Sequence, residues 1–272
     1  MTGVPIERPL VSSVGGPSAI RPSIAVILPA YNEADRIDAT LRSIAGYLSR
    51  LGVEWPVFLA DDGSTDGTAA VAVATAAPLG LPLQVVGYPH RGKALTVRDT
   101  MLKVAATNVA DYCLMLDADD ELRIDQLDHV RWADEPTIYI GRRVSETNGV
   151  IGARPPLLRR AMSAGMRFSS RVLLGLGFPD TQCGFKLFPS GLIPQLFGQQ
   201  RSAGWVFDAE LLVIAWRISG IPVREVPVTW SPRGKSKVTA LNAVRSVFSL
   251  MAVAFRYRTG RYRKISLPPD PS

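Results

Sequence analysis

Leu114-Met115-Leu116 runs straight into Asp117, Asp119, Asp120 and Glu121, four acids within five positions. Carboxylates crowded at the end of an apolar run repel one another unless a cation or a set of hydrogen-bond donors holds them. The chemical reading is a divalent-metal site. A solvated acidic turn after a buried strand is the bland reading, and this stretch alone leaves both open.

Two other loops could do chemistry. Asp61-Asp62-Gly63-Ser64-Thr65-Asp66-Gly67-Thr68 has the look of a calcium loop, but counting from Asp62 the required acid falls on Val73. A tight turn that caps a helix through Thr65 or Asp66 is its simpler reading. Gly87 to Ala94 nearly matches a phosphate-binding P-loop. It fails where the chemistry is, because Ala94 replaces the hydroxyl that would ligate magnesium and Pro89 lacks an N–H. What survives is Lys93 at a helix start, able to meet a phosphate or an acidic neighbour.

The elements that must position these loops alternate. Ile24–Leu28 is an apolar run that Pro29 is expected to end, and Ile37, Leu41, Ile44, Leu48 and Leu51 then mark a helix stopped by Gly52. Strands follow at Val57–Ala60, Leu83–Val86, Tyr112–Leu116 and Thr137–Ile140, with helices after Gly67, through Val104 and from Ile124 to Trp132. Strand and helix in this order predict an α/β, doubly wound, mostly parallel sheet with helices on both faces. In such sheets ligands sit beyond the carboxyl ends of the strands, where Pro29–Glu33, Asp61–Ser64 and Asp117–Glu121 all fall.

Charge divides the chain. Residues 1–140 carry 11 Lys+Arg against 18 Asp+Glu, whereas residues 141–272 carry 20 against 6. An acidic half suited to metal therefore precedes a basic half suited to phosphate, nucleic acid or anionic lipid. Cys113 and Cys183 are too few for a disulfide scaffold and fit a reducing compartment. Residues 1–22, rich in Pro and Gly, read as a flexible arm without the charged and apolar regions of a signal peptide.

Leu28-Pro-Ala-Tyr-Asn-Glu33, Asp61-Asp-Gly-Ser-Thr-Asp66, Gly92-Lys93-Ala94 and Asp117-Ala118-Asp119 together resemble the inverting family-2 glycosyltransferases of the A-type fold. Asp180-Thr-Gln-Cys-Gly-Phe-Lys-Leu-Phe188, Phe207-Asp-Ala-Glu210 and Arg233-Gly-Lys-Ser-Lys237 narrow the resemblance to the polyprenyl-phosphate (dolichyl-phosphate) glucose and mannose synthases. The resemblance covers roughly residues 24–240. It implies that Asp117 and Asp119, with Glu121 where the mannose branch has Gln, bind Mg²⁺ or Mn²⁺ at the donor diphosphate, Asp119 thereby being catalytic. Pro29, Tyr31, Glu33, Asp61 and Asp62 would frame the nucleoside, with Lys93 and Ala118 beside it. Asp180 would stand at the position of a catalytic base, or instead orient an arginine or the sugar.

The basic half is expected to present the acceptor. Between residues 155 and 178, Arg160, Arg167 and Arg171 fall within about 40° on a helical wheel, opposite Leu158, Met162, Leu173 and Leu176. This is either a basic amphipathic helix at a membrane interface or a surface helix with an ordinary core face. The mostly apolar stretch Val238–Phe255, which leads into the C-terminal segment 241–272, ends in a cationic tail. It sits at the lower limit of about 17 residues for a span and carries Arg245 near its middle, so a helix lying on an anionic leaflet is expected rather than a crossing. Residues 23–240 form the expected catalytic domain. A lipid phosphate is ionised near neutral pH, so it needs guiding more than deprotonation, and Arg142, Arg233, Ser236 and Lys237 are the expected guides.

The function so implied is hexose transfer with inversion to a polyprenyl phosphate at the cytoplasmic membrane face by a peripheral enzyme. UDP-glucose is the first donor and GDP-mannose the second. A transferase using a sugar hydroxyl, with Asp180 as an obligatory base, is the enzymatic alternative, and a non-catalytic membrane-binding module the other. Nucleic acid is not expected, because the arginines lack interleaved aromatics.

Overall fold

The computed structural model describes residues 21–144, 165, 168–231 and 240–266. Arg233, Ser236, Lys237, nearly all of the proposed 1–22 arm and much of the 155–178 segment lie outside them. The described chain builds one seven-stranded sheet in the order β3-β2-β1-β4-β6-β5-β7.

Its first half follows the hydrophobic pattern. β1 (Ile24–Ala30) is buried along its whole length because both sheet faces are covered. α1 (Ile37–Leu51) lays Ile37, Leu41, Ile44 and Leu48 on one face of the sheet, and Gly52 ends it in the left-handed conformation (φ 66°). β2 (Val57–Asp61), α2 (Thr68–Ala76), β3 (Leu83–Gly87), α3 (Lys93–Ala105) and β4 (Tyr112–Leu116) complete the alternation. Parallel pairing of β1 with β2 and β4, and of β2 with β3, brings three loops to one edge. Pro29 does not end β1 as expected. The β1–β4 ladder stops at Ile27↔Met115, and past that point β1 pairs only with β2, where a proline is tolerated.

The second half departs further from expectation. Ile124–His129 is a 3₁₀ helix that ends before Trp132. β5 (Ile138–Val144) continues through Gly141, Arg142 and Arg143 because β7 (Val223–Thr229) pairs in parallel with all of it. β6 (Phe185–Pro189) inserts antiparallel between β4 and β5. All but its last residue lie inside the Asp180–Phe188 motif. Helical residues 168–174 are α4, followed by α5 (Ile193–Phe197), α6 (Phe207–Leu212), which widens into a π-helical turn Val213–Ile218, and α7 (Ala240–Arg258).

α7 is not a loose appendage. Leu250, Val253, Ala254, Tyr262 and Ile265 join the core that covers the α3 face of the sheet. Its other face leaves Phe248, Met251 and Phe255 exposed. No described helix is long and apolar enough to cross a membrane.

Candidate functional site

The loops after β1 and β2 are laced together by backbone N–H groups. Asn32 N donates to Ser64 Oγ (3.0 Å), Glu33 N to Thr68 Oγ1 (2.9 Å), Ala34 N to Asp66 Oδ2 (3.0 Å), and Thr65 N to Asn32 Oδ1 (2.9 Å). Asp66 also accepts from the first N–H of α2 at Thr68 (3.0 Å), as a helix cap does. The Ser64-Thr65-Asp66-Gly67-Thr68 run is thus the scaffold that sets Tyr31 and Glu33. Pro29 is buried in β1, and Glu33 forms an ion pair with Arg36.

Asp61 and Asp62 have different jobs. Asp61 accepts from Ser64 N (3.2 Å) at the end of β2. Asp62 points inward, accepting from Arg91 N (2.9 Å), Gly92 N (2.9 Å) and Thr96 Oγ1 (2.7 Å), with His90 Nδ1 at 2.9 Å. Its oxygens are filled, so it fastens the Gly92-Lys93 turn to the end of β2. Gly63 is required here, since at φ 76° a Cβ would stand 2.8 Å from His90 N. Tyr31 stacks on His90, ring centroids 4.0 Å apart, which makes an exposed aromatic ledge above Asp61 and Asp62.

That turn delivers Lys93 to the acidic loop, where Lys93 forms an ion pair with Asp117. Burial alone would lower the Lys93 pKa, but Asp117 and Asp208 outweigh it and the pKa is raised. Burial likewise opposes the Asp117 charge, yet Lys93 holds its pKa below the ordinary value. Among the described residues Asp119 has no such ion pair, and accepts from Glu121 N (3.1 Å). Burial first, then Asp117 and Glu121 beside it, push its pKa up to about 6. Ala118 contributes through its backbone, its carbonyl accepting from Thr40 Oγ1 (3.0 Å) and pinning the loop to α1.

Glu121, expected as a third metal ligand, is not brought into a cage with the two aspartates. Trp230 Nε1 donates to Glu121 Oε2 (2.9 Å), and Ser231 N to its carbonyl (3.0 Å). Among the described residues no group of three or more His, Cys, Asp or Glu side chains gathers to hold a metal. The donor chemistry of Asp117 and Asp119 nevertheless fits a divalent cation. One carboxylate already pairs with a positive charge, and the other is raised by burial and then by the neighbouring carboxylates, both of which a bound cation would offset.

Across the crevice stands an arginine that motif reasoning passed over. Side chains alternate along β5, so Arg142 and Arg143 take opposite faces. Arg142 lies toward Glu225 (3.9 Å), whereas Arg143 grips Asp180 with two bonds, Nε to Oδ2 at 2.6 Å and Nη2 to Oδ1 at 2.9 Å. Its guanidinium also lies over Trp230, 5.4 Å from the ring centroid. A run Asp180–Arg143–Trp230–Glu121 therefore joins the basic and acidic walls. The alternation rule would have favoured Arg143 had β5 been extended past Gly141.

Residues 25–197 match the family described as Glycosyl transferase family 2. The chain belongs to that family. This glycosyltransferase is 30% identical over 269 residues to a dolichyl-phosphate beta-glucosyltransferase of Trichomonas vaginalis, covering 94% of this chain and 77% of that one. It is 27% identical to the dolichyl-phosphate beta-glucosyltransferase of Saccharomyces cerevisiae (88% and 76% covered) and 28% to that of Homo sapiens (88% and 77%). Among solved structures, mannosyl-3-phosphoglycerate synthase from Rubrobacter xylanophilus superposes with TM-score 0.61 at 16% identity, covering 92% of this chain and 79% of that one. Glucosyl-3-phosphoglycerate synthase from Mycobacterium tuberculosis, solved with Mn²⁺, uridine diphosphate and glucosyl-3-phosphoglycerate, gives TM-score 0.57 at 18% identity, covering 88% and 80%. These structural likenesses establish a shared fold. The A-type glycosyltransferase architecture expected of this chain is therefore the one it has.

Proposed function

We propose that this glycosyltransferase moves glucose, with inversion at the anomeric carbon, from UDP-glucose to a dolichyl-type polyprenyl phosphate, working at the cytoplasmic face of a membrane. The observation that carries the reading is Arg143, a guanidinium held in place by Asp180 opposite the Asp117–Asp119 loop. Arginine's planar fork matches a phosphate, and a preset one costs little ordering when the phosphate arrives. The acceptor phosphate is already ionised near neutral pH. Asp180 then aims Arg143 rather than removing a proton.

Tyr31, Glu33 and Asp61 frame the nucleoside, carboxylates accepting from base N–H or ribose hydroxyl groups. Asp62 sets the turn that presents Lys93 to the diphosphate. Asp117 and Asp119 would hold Mg²⁺ or Mn²⁺, which neutralises the leaving diphosphate when bound. The names of the curated relatives favour glucose over mannose as the transferred sugar.

The exposed face of α7 supports an interfacial location. Phe248, Met251 and Phe255 lie uncovered beside Arg258, Arg261, Arg263 and Lys264, and α4 adds exposed Phe168 and Val172 next to Arg171. Apolar side chains rimmed by cations suit an anionic leaflet. The test is a donor panel: the protein with UDP-glucose or GDP-mannose, Mn²⁺ or Mg²⁺ and polyprenyl phosphate. UDP-glucose should give a β-linked glucosyl lipid. A full panel that yields no lipid-linked sugar would remove the reading.

A further inference from the structure

Two parallel bonds from Arg143 to Asp180 fix the guanidinium within its own plane but resist tilting of that plane poorly. Asp180 engages Nε and Nη2, so the fork left for a phosphate is the other edge, Nη1 and Nη2, and its direction changes with any tilt. Arg143 stands next to the last residue of β5 with its side chain 37% exposed. Holding it steady takes a group against its flat face.

Trp230, the residue after β7, lies there. The guanidinium carbon is over the indole ring, 5.4 Å from its centroid and within cation–π range. An indole suits the place, since it offers a cation a broad face and an acceptor an edge N–H. That edge is tied down: Nε1 donates to Glu121 Oε2 (2.9 Å), while the neighbours Ser231 N and Thr229 N donate to the Glu121 carbonyl (3.0 Å) and to Gln126 Oε1 (2.9 Å). The ring and the residues on either side of it are thus fastened to one segment, 121–126, which leaves the acidic loop. Glu121 reaches the other way as well, its N–H donating to Asp119 Oδ1 (3.1 Å).

We propose that Trp230 is a positioning residue for the acceptor phosphate, setting the plane of Arg143, and that Glu121 is its anchor rather than a third ligand to the cation. The proposal rests on the reading of Arg143 as the guide of that phosphate. Asp180 takes one edge of the guanidinium, Trp230 takes one face, and the remaining edge keeps a fixed direction. Because Glu121 bonds Asp119 through its amide and Trp230 through its carboxylate, the donor loop and the acceptor arginine hold a constant mutual geometry.

The test is a double-mutant cycle on the full chain with UDP-glucose and polyprenyl phosphate. Trp230→Leu should lower kcat/KM for polyprenyl phosphate about tenfold and leave KM for UDP-glucose unchanged. In an Arg143→Ala background the same Trp230→Leu change should cost less than about twofold, because no guanidinium remains to be set. Glu121→Ala should lower kcat/KM for polyprenyl phosphate about fivefold, and Glu121→Gln, which keeps an acceptor for the indole N–H, should recover it to within about twofold. Mn²⁺ binding to both Glu121 variants, read by the electron-paramagnetic signal of free Mn²⁺, should stay within about threefold of wild type, whereas loss of a ligand or its support costs about tenfold or more. An equal Trp230→Leu loss in both backgrounds, a harmless Trp230→Leu beside a damaging Arg143→Ala, or a tenfold loss of Mn²⁺ in Glu121→Gln overturns the proposal. Should Trp230→Leu not fold, the two Glu121 variants carry the decision, and a harmless Glu121→Ala or a Glu121→Gln that recovers nothing overturns it. An Arg143→Ala variant with undiminished kcat/KM would instead remove the underlying reading of Arg143.

Discussion

Asp180 and Arg143 are where the two possible chemistries part. An aspartate gripped by both arms of a guanidinium is arranged to aim that group. Asp180→Asn should therefore keep at least about a tenth of wild-type turnover, whereas loss of a required general base would cost about 10²–10⁴-fold. Arg143→Ala should lower kcat/KM for polyprenyl phosphate by about 100-fold, while Arg142→Ala, directed at Glu225, should change it little. Near-complete loss in Asp180→Asn would favour a hydroxyl acceptor.

Asp119 gives the site its pH dependence. With its pKa up to about 6, a proton competes with the cation for this carboxylate below that value. Mn²⁺ affinity should thus rise as pH increases toward about 6 and flatten above pH 7. A flat affinity between pH 5 and 7 would contradict the assignment of Asp119 as a ligand.

At the scale of elements, the loop–strand alternation of the first half was legible because β1, β2 and β4 are buried along their whole length and α1 carries an apolar stripe. β6 and β7 were not. β6 is hidden in a motif whose residues invite a chemical reading, and β7, with Arg224, Glu225 and Pro227, has the mixed pattern of an edge strand exposed on one side. The end of β5 was missed for a related reason, since Arg142 and Arg143 look like loop residues until β7 is there to pair with them.

Glu210 on α6 shows what an uninformative pair of acids can do. Asp208 and Glu210 are two apart and turn to different neighbours, Asp208 to Lys186 and Glu210 to the chain around it. Glu210 is fully buried and accepts from Arg201 N (3.1 Å), Ser202 N (2.7 Å), Tyr262 Oη (2.6 Å) and Arg256 Nη1 (3.4 Å). It thereby ties the end of α7 and the following turn to the loop whose Gln200 donates to the Ala94 carbonyl (3.0 Å), one residue past Lys93. Glu210→Gln, which leaves some of these donors unmatched, should lower unfolding free energy by about 2–3 kcal/mol, and Tyr262→Phe by about 1 kcal/mol. Urea denaturation measures both, and unchanged midpoints would show that α7 is held by apolar packing alone.

Over the whole molecule, the charge division seen in the sequence meets at one place: the acidic loop after β4 faces Arg143 of β5, and each acts on the other's charge. The motifs that mark the family were readable because their residue types and spacing are specific. Asp62 and Glu121 were harder to place, because an acid's type says nothing of whether its oxygens are already taken. The exposed aromatics of α7 belong to this scale as well. Phe248→Ser with Phe255→Ser should reduce sedimentation with anionic vesicles without lowering the melting temperature, since neither side chain is covered. Unchanged sedimentation would place the membrane contact elsewhere.

The central claim is a division of labour, with catalysis in the acidic loop and docking on the basic, apolar face. Asp119→Ala, assayed in parallel for glucosyl transfer to polyprenyl phosphate and for sedimentation with anionic vesicles, tests it most directly. Transfer should fall by at least about 100-fold while vesicle binding is unchanged. Loss of both together, or transfer that survives the substitution, would contradict it.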